Sequence, residues 1–250
     1  MAHRYDSRTT IFSPAGRLFQ VEYAMEAISH TGSCIGVLSK DGIVLVAEKK
    51  VVGKLLDTTK PEKLLSIDKH LGAAVAGMTA DANVLVQAAR LAAQRYLYSY
   101  QEPVPIEHLV RRVCDIKQSY TQFGGLRPYG VAFLYAGWDQ KYGYQLYQSD
   151  PSGNYTGWHA TAIGSNANGA LTMLRQDYVK DCTLDQAKTL AMQVLGKTVE
   201  AVSLSSDKIE VAVLTVFDQA KGVEFKTLSS VEVEEMIRPI IEDRDARLRA

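Results

Sequence analysis

The sequence has few cysteines, no excess of either charge and no long apolar run. Its three cysteines are an odd number and lie far apart without a Cys-x-x-Cys pair, which argues against a disulfide framework or a zinc cage and is typical of a reducing compartment. Because 28 basic side chains balance 28 acidic ones, the charge favours neither nucleic acid nor an anionic membrane as a partner. No apolar run approaches the roughly 18 residues that span a bilayer, and we expect no signal peptide.

Common catalytic and cofactor motifs are missing as well. The sequence contains no Gly-x-Ser-x-Gly, His-Glu-x-x-His or Gly-x-x-x-x-Gly-Lys-[Ser/Thr] pattern, and the glycines of IGSNANG have the wrong spacing for a dinucleotide loop. The five histidines are scattered without the spacing of metal ligands. We therefore expect no metal site and no cofactor.

A helix is predicted at residues 13–29, ahead of the first strand. Ser13 is suited to cap it, and Pro14 is favoured at a first helical position. One apolar stripe is predicted at helical spacing, formed by Leu18, Val21, Met25 and Ile28. Packing within the domain and contact with a partner both fit this stripe, but neither explains the polar, arginine-containing arm before it.

Strands and helices follow in groups along the rest of the chain. Strands are expected at residues 34–38, 43–47, 64–67, 71–76, 159–163, 208–217 and 223–228, and a pair of strands that turns at residues 139–141 is expected within 129–147. Helices are expected at residues 81–100, from 105 onward, at 167–178, at 184–202 and from about 229. The pairs Thr183 with Gln186 and Ser229 with Glu232 form capping boxes, and Pro239 should kink or end the last helix. The inward face of the helix at 81–100 is predicted to consist of Val84, Leu85, Ala88, Leu91 and Ala92.

This order of elements predicts an α+β fold. Runs of strands separated by pairs of helices favour two stacked antiparallel sheets with helices on their outer faces, which is a four-layer αββα sandwich. Because neither a linker nor an internal repeat divides the chain, residues 1–250 are predicted to be a single domain.

The N-terminal stretch resembles the signature of proteasome alpha subunits. The matching residues are Tyr5-Asp6, Thr10, Phe12-Ser13-Pro14, Gly16-Arg17-Leu18 and Gln20-Val21-Glu22-Tyr23-Ala24. The resemblance continues through DGIVLVAEKK, GMTADANVLV, YTQFGGLRPYGV and QLYQSDPSGNYTGWHATAIGSN, so it covers nearly the whole chain. Residues 142–164 look most like the class at the third ring position, which a second naming scheme numbers four.

The resemblance implies the N-terminal-nucleophile hydrolase fold with an extra N-terminal helix. Residues 1–12 would be a gate tail, 13–29 the alpha-specific helix, 30–228 the αββα core and 229–250 the C-terminal helix. In this family, seven alpha subunits form each outer ring of a four-ring barrel, and the peptidase beta rings lie inside.

The resemblance also implies that the chain has no catalytic residue. Active beta relatives expose an N-terminal threonine whose own amine serves as base, and the ungapped position of that nucleophile falls at Gly32. Glu48 stands near the aspartate of active relatives, and Lys63 near their catalytic lysine. Because Thr31, Ser33 and Cys34 lie close by, an active amidohydrolase of the same fold is the alternative.

Three groups of site residues are implied by the family. The gate cluster, which arranges contacts between neighbouring subunits, matches Tyr5, Asp6, Pro14 and Tyr23. The pocket that accepts the C-terminal tail of an activator matches Lys63, Gly16, Arg17 and Gly77. The constriction of the axial channel matches Phe123, Gly124, Gly125 and Leu126, where glycine lets the backbone approach the pore. A disordered tail, a solvated lysine turn and a plain structural turn are the respective alternatives.

The function implied is that of a non-catalytic outer-ring subunit in ubiquitin-dependent and ubiquitin-independent protein degradation. It would assemble the alpha ring, gate the entry of unfolded proteins and offer pockets for activator tails. The partners implied are six other alpha subunits, beta subunits of the adjacent ring, a regulatory particle or other activators, and polypeptides in transit, in the cytoplasm and the nucleus. A free-standing homoheptameric scaffold is a further alternative.

Overall fold

The strands form two five-stranded antiparallel sheets. The computed structural model describes residues 10–49, 55, 61–198, 205–218 and 222–249. The strands are β1 (Cys34–Leu38), β2 (Gly42–Glu48), β3 (Leu64–Asp68), β4 (Leu71–Gly77), β5 (Val131–Asp139), β6 (Gly143–Ser149), β7 (Tyr155–Trp158), β8 (Ala160–Ile163), β9 (Ile209–Asp218) and β10 (Gly222–Thr227). The first sheet has the order β10-β9-β2-β1-β8 and the second the order β3-β4-β5-β6-β7.

Helices cover the outer face of each sheet. They are α1 (Phe19–Ser29), α2 (Thr79–Tyr100), α3 (Ile106–Gln122), α4 (Ala167–Asp177), α5 (Leu184–Thr198) and α6 (Ser230–Arg249). Helices α4, α5 and α6 pack on the first sheet, and α2 and α3 pack on the second. The predicted four-layer αββα sandwich is therefore confirmed. None of the helices in the described ranges combines the length and apolarity that a membrane crossing needs.

A third apolar cluster lies between the two sheets and draws on both of them. Ile43 and Leu45 of the first sheet meet Leu134 and Leu146 of the second, all at most 2% exposed. Strands β1 and β2 are buried along nearly their whole length, because one face packs on this layer and the other on helices. Their sequences accordingly read as continuous apolar runs rather than as alternating ones.

The helix predicted from residue 13 begins later, at Phe19. Residues 13–17 form a tight turn instead, in which the Ser13 N–H donates to Arg17 O at 2.9 Å and the Arg17 N–H donates to Ser13 Oγ at 3.1 Å. Gly16 has φ +73°, a left-handed conformation that a continuous helix cannot contain. The Ser-Pro pair therefore belongs to a turn that precedes the helix.

The predicted inward face of α2 is largely wrong. Val84 and Leu91 are 56% and 51% exposed, and of the five expected residues only Leu85 is fully buried. The buried face consists of Asp81, Ala82, Leu85, Val86, Ala89 and Ala93. Three of these six residues are alanines, whose small side chains let the helix lie close to the sheet, and Val84 and Leu91 lie outside the contact.

The two capping boxes are confirmed. The Thr183 N–H donates to Gln186 Oε1 at 2.9 Å, and the Ser229 N–H donates to Glu232 Oε2 at 2.8 Å. The helix after the second box continues beyond Pro239 to Arg249, so this proline does not end it.

A buried lysine held by neutral groups lies in the second helical layer. Lys117 of α3 is 0% exposed, and its ammonium donates to Val131 O at 3.1 Å and to Ser149 Oγ at 2.9 Å. It also lies 4.7 Å from the centre of the Phe133 ring. Burial lowers the pKa of Lys117 to about 8, because the apolar surroundings disfavour the charged form.

We predict that the contribution of this lysine to stability rises with pH. Between about pH 8 and 10.5 the unfolded chain holds the proton of Lys117 and the folded chain loses it, so this contribution to the free energy of unfolding increases over the window by up to about 3 kcal/mol. The buried thiols of Cys34 and Cys114, whose pKa values are raised to about 12 and about 11, act in the opposite direction above about pH 9, so the contribution of Lys117 is read as a difference from the wild type. In urea unfolding of the isolated chains, the difference in free energy of unfolding between wild type and Lys117→Met should grow with pH over this window, and the control Lys180→Met, whose side chain is exposed, should follow the wild type. Equal slopes in both variants would contradict the assignment.

Candidate functional site

Of the four residues implied for the gate, the structure describes two, and both are exposed. Tyr5 and Asp6 lie outside the described residues. Pro14 is exposed in the turn before α1, and Tyr23 is 51% exposed and stacks on Phe19, with ring centroids 6.3 Å apart. Within the described ranges no hydrogen bond joins Pro14 to Tyr23.

Helix α1 lies over strands β4 and β5 of the second sheet. Val21 and Ile28 are its buried residues, whereas Met25 of the predicted stripe is 39% exposed. Arg17 and Glu22 form a bidentate ion pair on the outer side, with Arg17 Nε donating to Glu22 Oε1 at 2.7 Å. The hydrogen bond from Arg17 lowers the pKa of Glu22. The helix thus has one side toward the core and one side open to a partner.

Gly32, the position that the resemblance implies for the nucleophile of active relatives, has no room for a side chain. A Cβ built at this position would lie 2.6 Å from Glu48 O and 2.9 Å from Lys63 Nζ. The Lys63 ammonium donates to Gly32 O at 3.4 Å, and Glu48 accepts the Ser33 N–H at 3.1 Å. The two supporting groups predicted from the resemblance therefore surround a backbone that offers no hydroxyl.

The neighbouring candidates for a nucleophile are engaged elsewhere. The Thr31 hydroxyl donates to Ile28 O at 2.7 Å, and the Ser33 hydroxyl donates to Ser165 O at 2.5 Å. Cys34 is 0% exposed, and burial raises the pKa of its thiol to about 12. A raised thiol pKa lowers the fraction of thiolate, which is the nucleophilic form of cysteine.

Lys63 lies directly before β3, at the same end of the sheet as Gly77. The Val75 N–H donates to Lys63 O at 3.0 Å, which places Gly77 two residues further along the paired strand. Lys63 is 9% exposed, and no carboxylate in the described ranges lies within 4 Å of its ammonium. In the same ranges no hydrogen bond or ion pair joins it to Gly16 or Arg17. The structure thus brings together two of the four residues implied for the tail pocket.

The loop implied for the channel constriction projects from the end of α3. Phe123 and Leu126 are 68% and 58% exposed, and Gly125 has φ +99°, which favours glycine. A Cβ at Gly124 would lie 3.8 Å from Thr10 Oγ1. The described beginning of the N-terminal arm therefore reaches this loop.

An ion pair that sequence reasoning missed holds the far end of this loop. Asp81 is 8% exposed. Its carboxylate accepts hydrogen bonds from both terminal nitrogens of Arg127, at 2.6 and 2.8 Å, and from the Gly130 N–H at 2.9 Å. The hydrogen bonds from Arg127 lower the pKa of Asp81 against the effect of burial. Gly77 lies against the same segment, because a Cβ there would lie 2.1 Å from Gly130 O. The only sequence clue was an aspartate in the first turn of a helix, which is also typical of a solvated position.

The described residues offer no obvious metal site. No group of three or more His, Cys, Asp and Glu side chains within them could hold a metal ion.

Comparison with known proteins agrees with this architecture. The family described as "Proteasome subunit" matches residues 28–214, and the N-terminal signature of A-type proteasome subunits matches residues 5–27. An alpha type-4 proteasome subunit of Spinacia oleracea is 60% identical over 222 residues, which cover 88% of this chain and 89% of that protein. The alpha type-4 subunit of Petunia hybrida is 56% identical over 238 residues, which cover 95% of each chain. An alpha type-4-A subunit of Arabidopsis thaliana is 61% identical over 213 residues, 85% of each.

Two stacked antiparallel sheets between helical layers, together with a match over most of the chain, define the class as a proteasome subunit. The chain belongs to the proteasome subunit family. Within that family it carries the alpha-type N-terminal signature and is similar to subunits of type 4. The resemblance drawn from the sequence, including the class numbered four, is therefore confirmed.

We predict that Gly32→Thr destabilises the chain without creating peptidase activity. The new side chain must displace the backbone at Glu48, and overpacking of this kind costs about 1–3 kcal/mol. Thermal or urea unfolding of the isolated chain measures the loss. In the control Gly169→Ala, within α4, nothing lies within 4 Å of the new Cβ, so we expect a gain of about 0.5–1 kcal/mol. Unchanged stability of Gly32→Thr would show that the site is open.

A further prediction concerns the Asp81–Arg127 ion pair. Because the folded-state pKa of Asp81 is lowered, its contribution to stability is present above the unfolded value near pH 4 and is lost as pH falls through the lower folded value. Arg127→Met should cost about 2 kcal/mol at pH 7, since it leaves a buried carboxylate with one amide partner. Urea unfolding between pH 7 and pH 2 should show a smaller acid-induced loss in this variant. The control Arg95→Met, exposed on α2, should behave like the wild type.

Proposed function

We propose that the chain is a non-catalytic subunit of the outer alpha ring of the 20S proteasome. The observation that carries this proposal is the closed position at Gly32, where Glu48 O and Lys63 Nζ occupy the space of a nucleophile. Since an enzyme of this fold needs a hydroxyl or thiol there, the activity of the particle would come from other subunits. The similarity to alpha type-4 subunits supports the same role.

We propose in addition that the N-terminal segment gates the axial channel. The exposed side chains of Phe123 and Leu126 would line the constriction, and Thr10 reaches the loop that carries them. The gate cluster of Tyr5, Asp6, Pro14 and Tyr23 would make contacts with neighbouring subunits that rearrange when the gate opens. Hydroxyl groups and a carboxylate suit this role because they form directional hydrogen bonds that can be remade.

The third element of the proposal is a pocket for activator tails around Lys63. Within the described ranges its ammonium has one long hydrogen bond, at 3.4 Å, and three protons to donate, so it retains capacity for an incoming carboxylate. Gly77 lies at the same end of the sheet, and Gly16 and Arg17 would complete the pocket together with a neighbouring subunit.

The proposed partners are six other alpha subunits, beta subunits of the adjacent ring, a regulatory particle or other activators, and unfolded polypeptides in transit. The proposed compartments are the cytoplasm and the nucleus, where degradation by the proteasome takes place. Three buried cysteines without a disulfide are consistent with a reducing environment.

Native mass spectrometry tests the proposed function. We expect the chain, tagged at its C-terminus and purified from its own cells, to appear at full length in a particle with six other alpha-like and seven beta-like species. A chain that begins at residues 31–34 would support the amidohydrolase alternative instead. A complex that contains seven copies of this chain alone would support the homoheptameric scaffold.

A further inference from the structure

A buried carboxylate lies directly behind the segment that carries Lys63. Glu210 of β9 is 5% exposed, and its two oxygens accept the backbone N–H groups of Glu62 at 2.6 Å, Lys63 at 3.0 Å and Leu64 at 3.0 Å. The Lys49 ammonium, just after β2, lies 3.1 Å from the same carboxylate. Glu210 therefore ties the end of β2 and the start of β3 to strand β9.

Hydrogen-bond donors and a cation surround both oxygens of the Glu210 carboxylate. Three consecutive amides converge on one carboxylate, and such charge-assisted bonds are roughly twice as strong as neutral ones. Lys49 supplies the cation that a buried carboxylate requires. An amide side chain of the same shape would keep one acceptor oxygen, but it would turn its NH₂ group toward backbone donors and lose the attraction to Lys49.

Glu210 and strand β4 together fix the backbone of Lys63 on both sides. Its N–H is held by the carboxylate, and its C=O accepts the Val75 N–H at 3.0 Å. The side chain then starts from a rigid point and places its ammonium 3.4 Å from Gly32 O. A binding group held on a rigid element loses little conformational freedom when its ligand arrives, which favours affinity.

We propose that Glu210 is a positioning residue for the tail pocket: by holding residues 62–64, it sets the Lys63 ammonium where a terminal carboxylate of an activator can reach it. This inference rests on the proposed tail-docking function of Lys63. Glu210 itself does not touch the tail, because its carboxylate is already occupied by three amides and a lysine.

The test uses the intact particle and short synthetic peptides that reproduce the C-termini of activator subunits from the same cells. Each peptide carries a photoreactive group and is made with either a free carboxylate or a terminal amide. The yield of cross-linking to this chain, determined by mass spectrometry, is compared for wild type, Lys63→Met, Glu210→Gln and the control Glu224→Gln, whose side chain is exposed on β10. Hydrogen exchange at the amides of residues 62–64 is measured in the same particles.

For Glu210→Gln we expect about a tenfold lower yield with the free-acid peptide, faster exchange at residues 62–64 and no change with the amidated peptide. A defect of packing alone would lower the cross-linking yields of both peptides equally. The ratio of the yield with the free acid to the yield with the amide therefore identifies an effect that acts through Lys63. The double variant Lys63→Met with Glu210→Gln should bind no worse than Lys63→Met, because both changes remove the same interaction. The control should match the wild type.

The outcomes separate the two proposals. If Lys63→Met loses the preference for the free acid and Glu210→Gln keeps it, the positioning role is wrong and tail docking at Lys63 stands. If Lys63→Met also keeps the preference, tail docking at Lys63 is wrong, and the positioning role falls with it.

A second variant covers the case in which Glu210→Gln fails to assemble. Glu210→Asp keeps the charge on a shorter stem, and we expect an acid-to-amide ratio between those of wild type and Lys63→Met. A wild-type ratio together with faster exchange at residues 62–64 would overturn the inference.

Discussion

The apolar layer between the two sheets is the contact on which the positions of the other elements depend. Residues from both sheets close it completely, and one of its closest contacts places the Phe225 ring where a Cβ of Gly72 would lie. Because the layer fixes the two sheets face to face, it brings the end of β2 and the starts of β1 and β3 to one edge of the sandwich. Gly32, Glu48 and Lys63 meet at that edge, although they are far apart in the sequence.

Two buried carboxylates hold the segments that the sheets alone would leave free. Glu210 fixes the start of β3, and Asp81 fixes the end of the loop after α3. Glu210 accepts three backbone N–H groups and Asp81 accepts one, and each carboxylate also pairs with one cationic side chain. The proposed tail pocket and the proposed constriction thus have the same physical basis, which is a fixed anion beneath a surface segment.

The sequence predicted the structure well where a short residue pattern is repeated along the chain. It predicted the structure less well where one pattern fits two conformations. Both capping boxes and every strand except β7 (Tyr155–Trp158) followed from short patterns, and the four layers followed from their order. The start of α1 was not predictable in this way, since Ser-Pro is favoured both at a helix start and in a turn, and only the conformation of Gly16 decides between them. The prediction of the inward face of α2 was wrong for a similar reason, because an alanine-rich helix carries two overlapping apolar stripes.

The buried ion pairs could not be predicted from the sequence because their partners are remote. Asp81 contacts Arg127 and Gly130 at sequence separations of 46 and 49 residues, and Glu210 contacts Glu62 at a separation of 148.

The closed space at Gly32 limits which substitutions this position can accept. The volume that a side chain would need is filled by a carbonyl oxygen of the backbone, which no substitution elsewhere can make smaller. A side chain with a hydroxyl at residue 32 would therefore also require a shift of the main chain at Glu48. Because the two changes are needed together, a single substitution cannot place a nucleophile here without displacing that backbone.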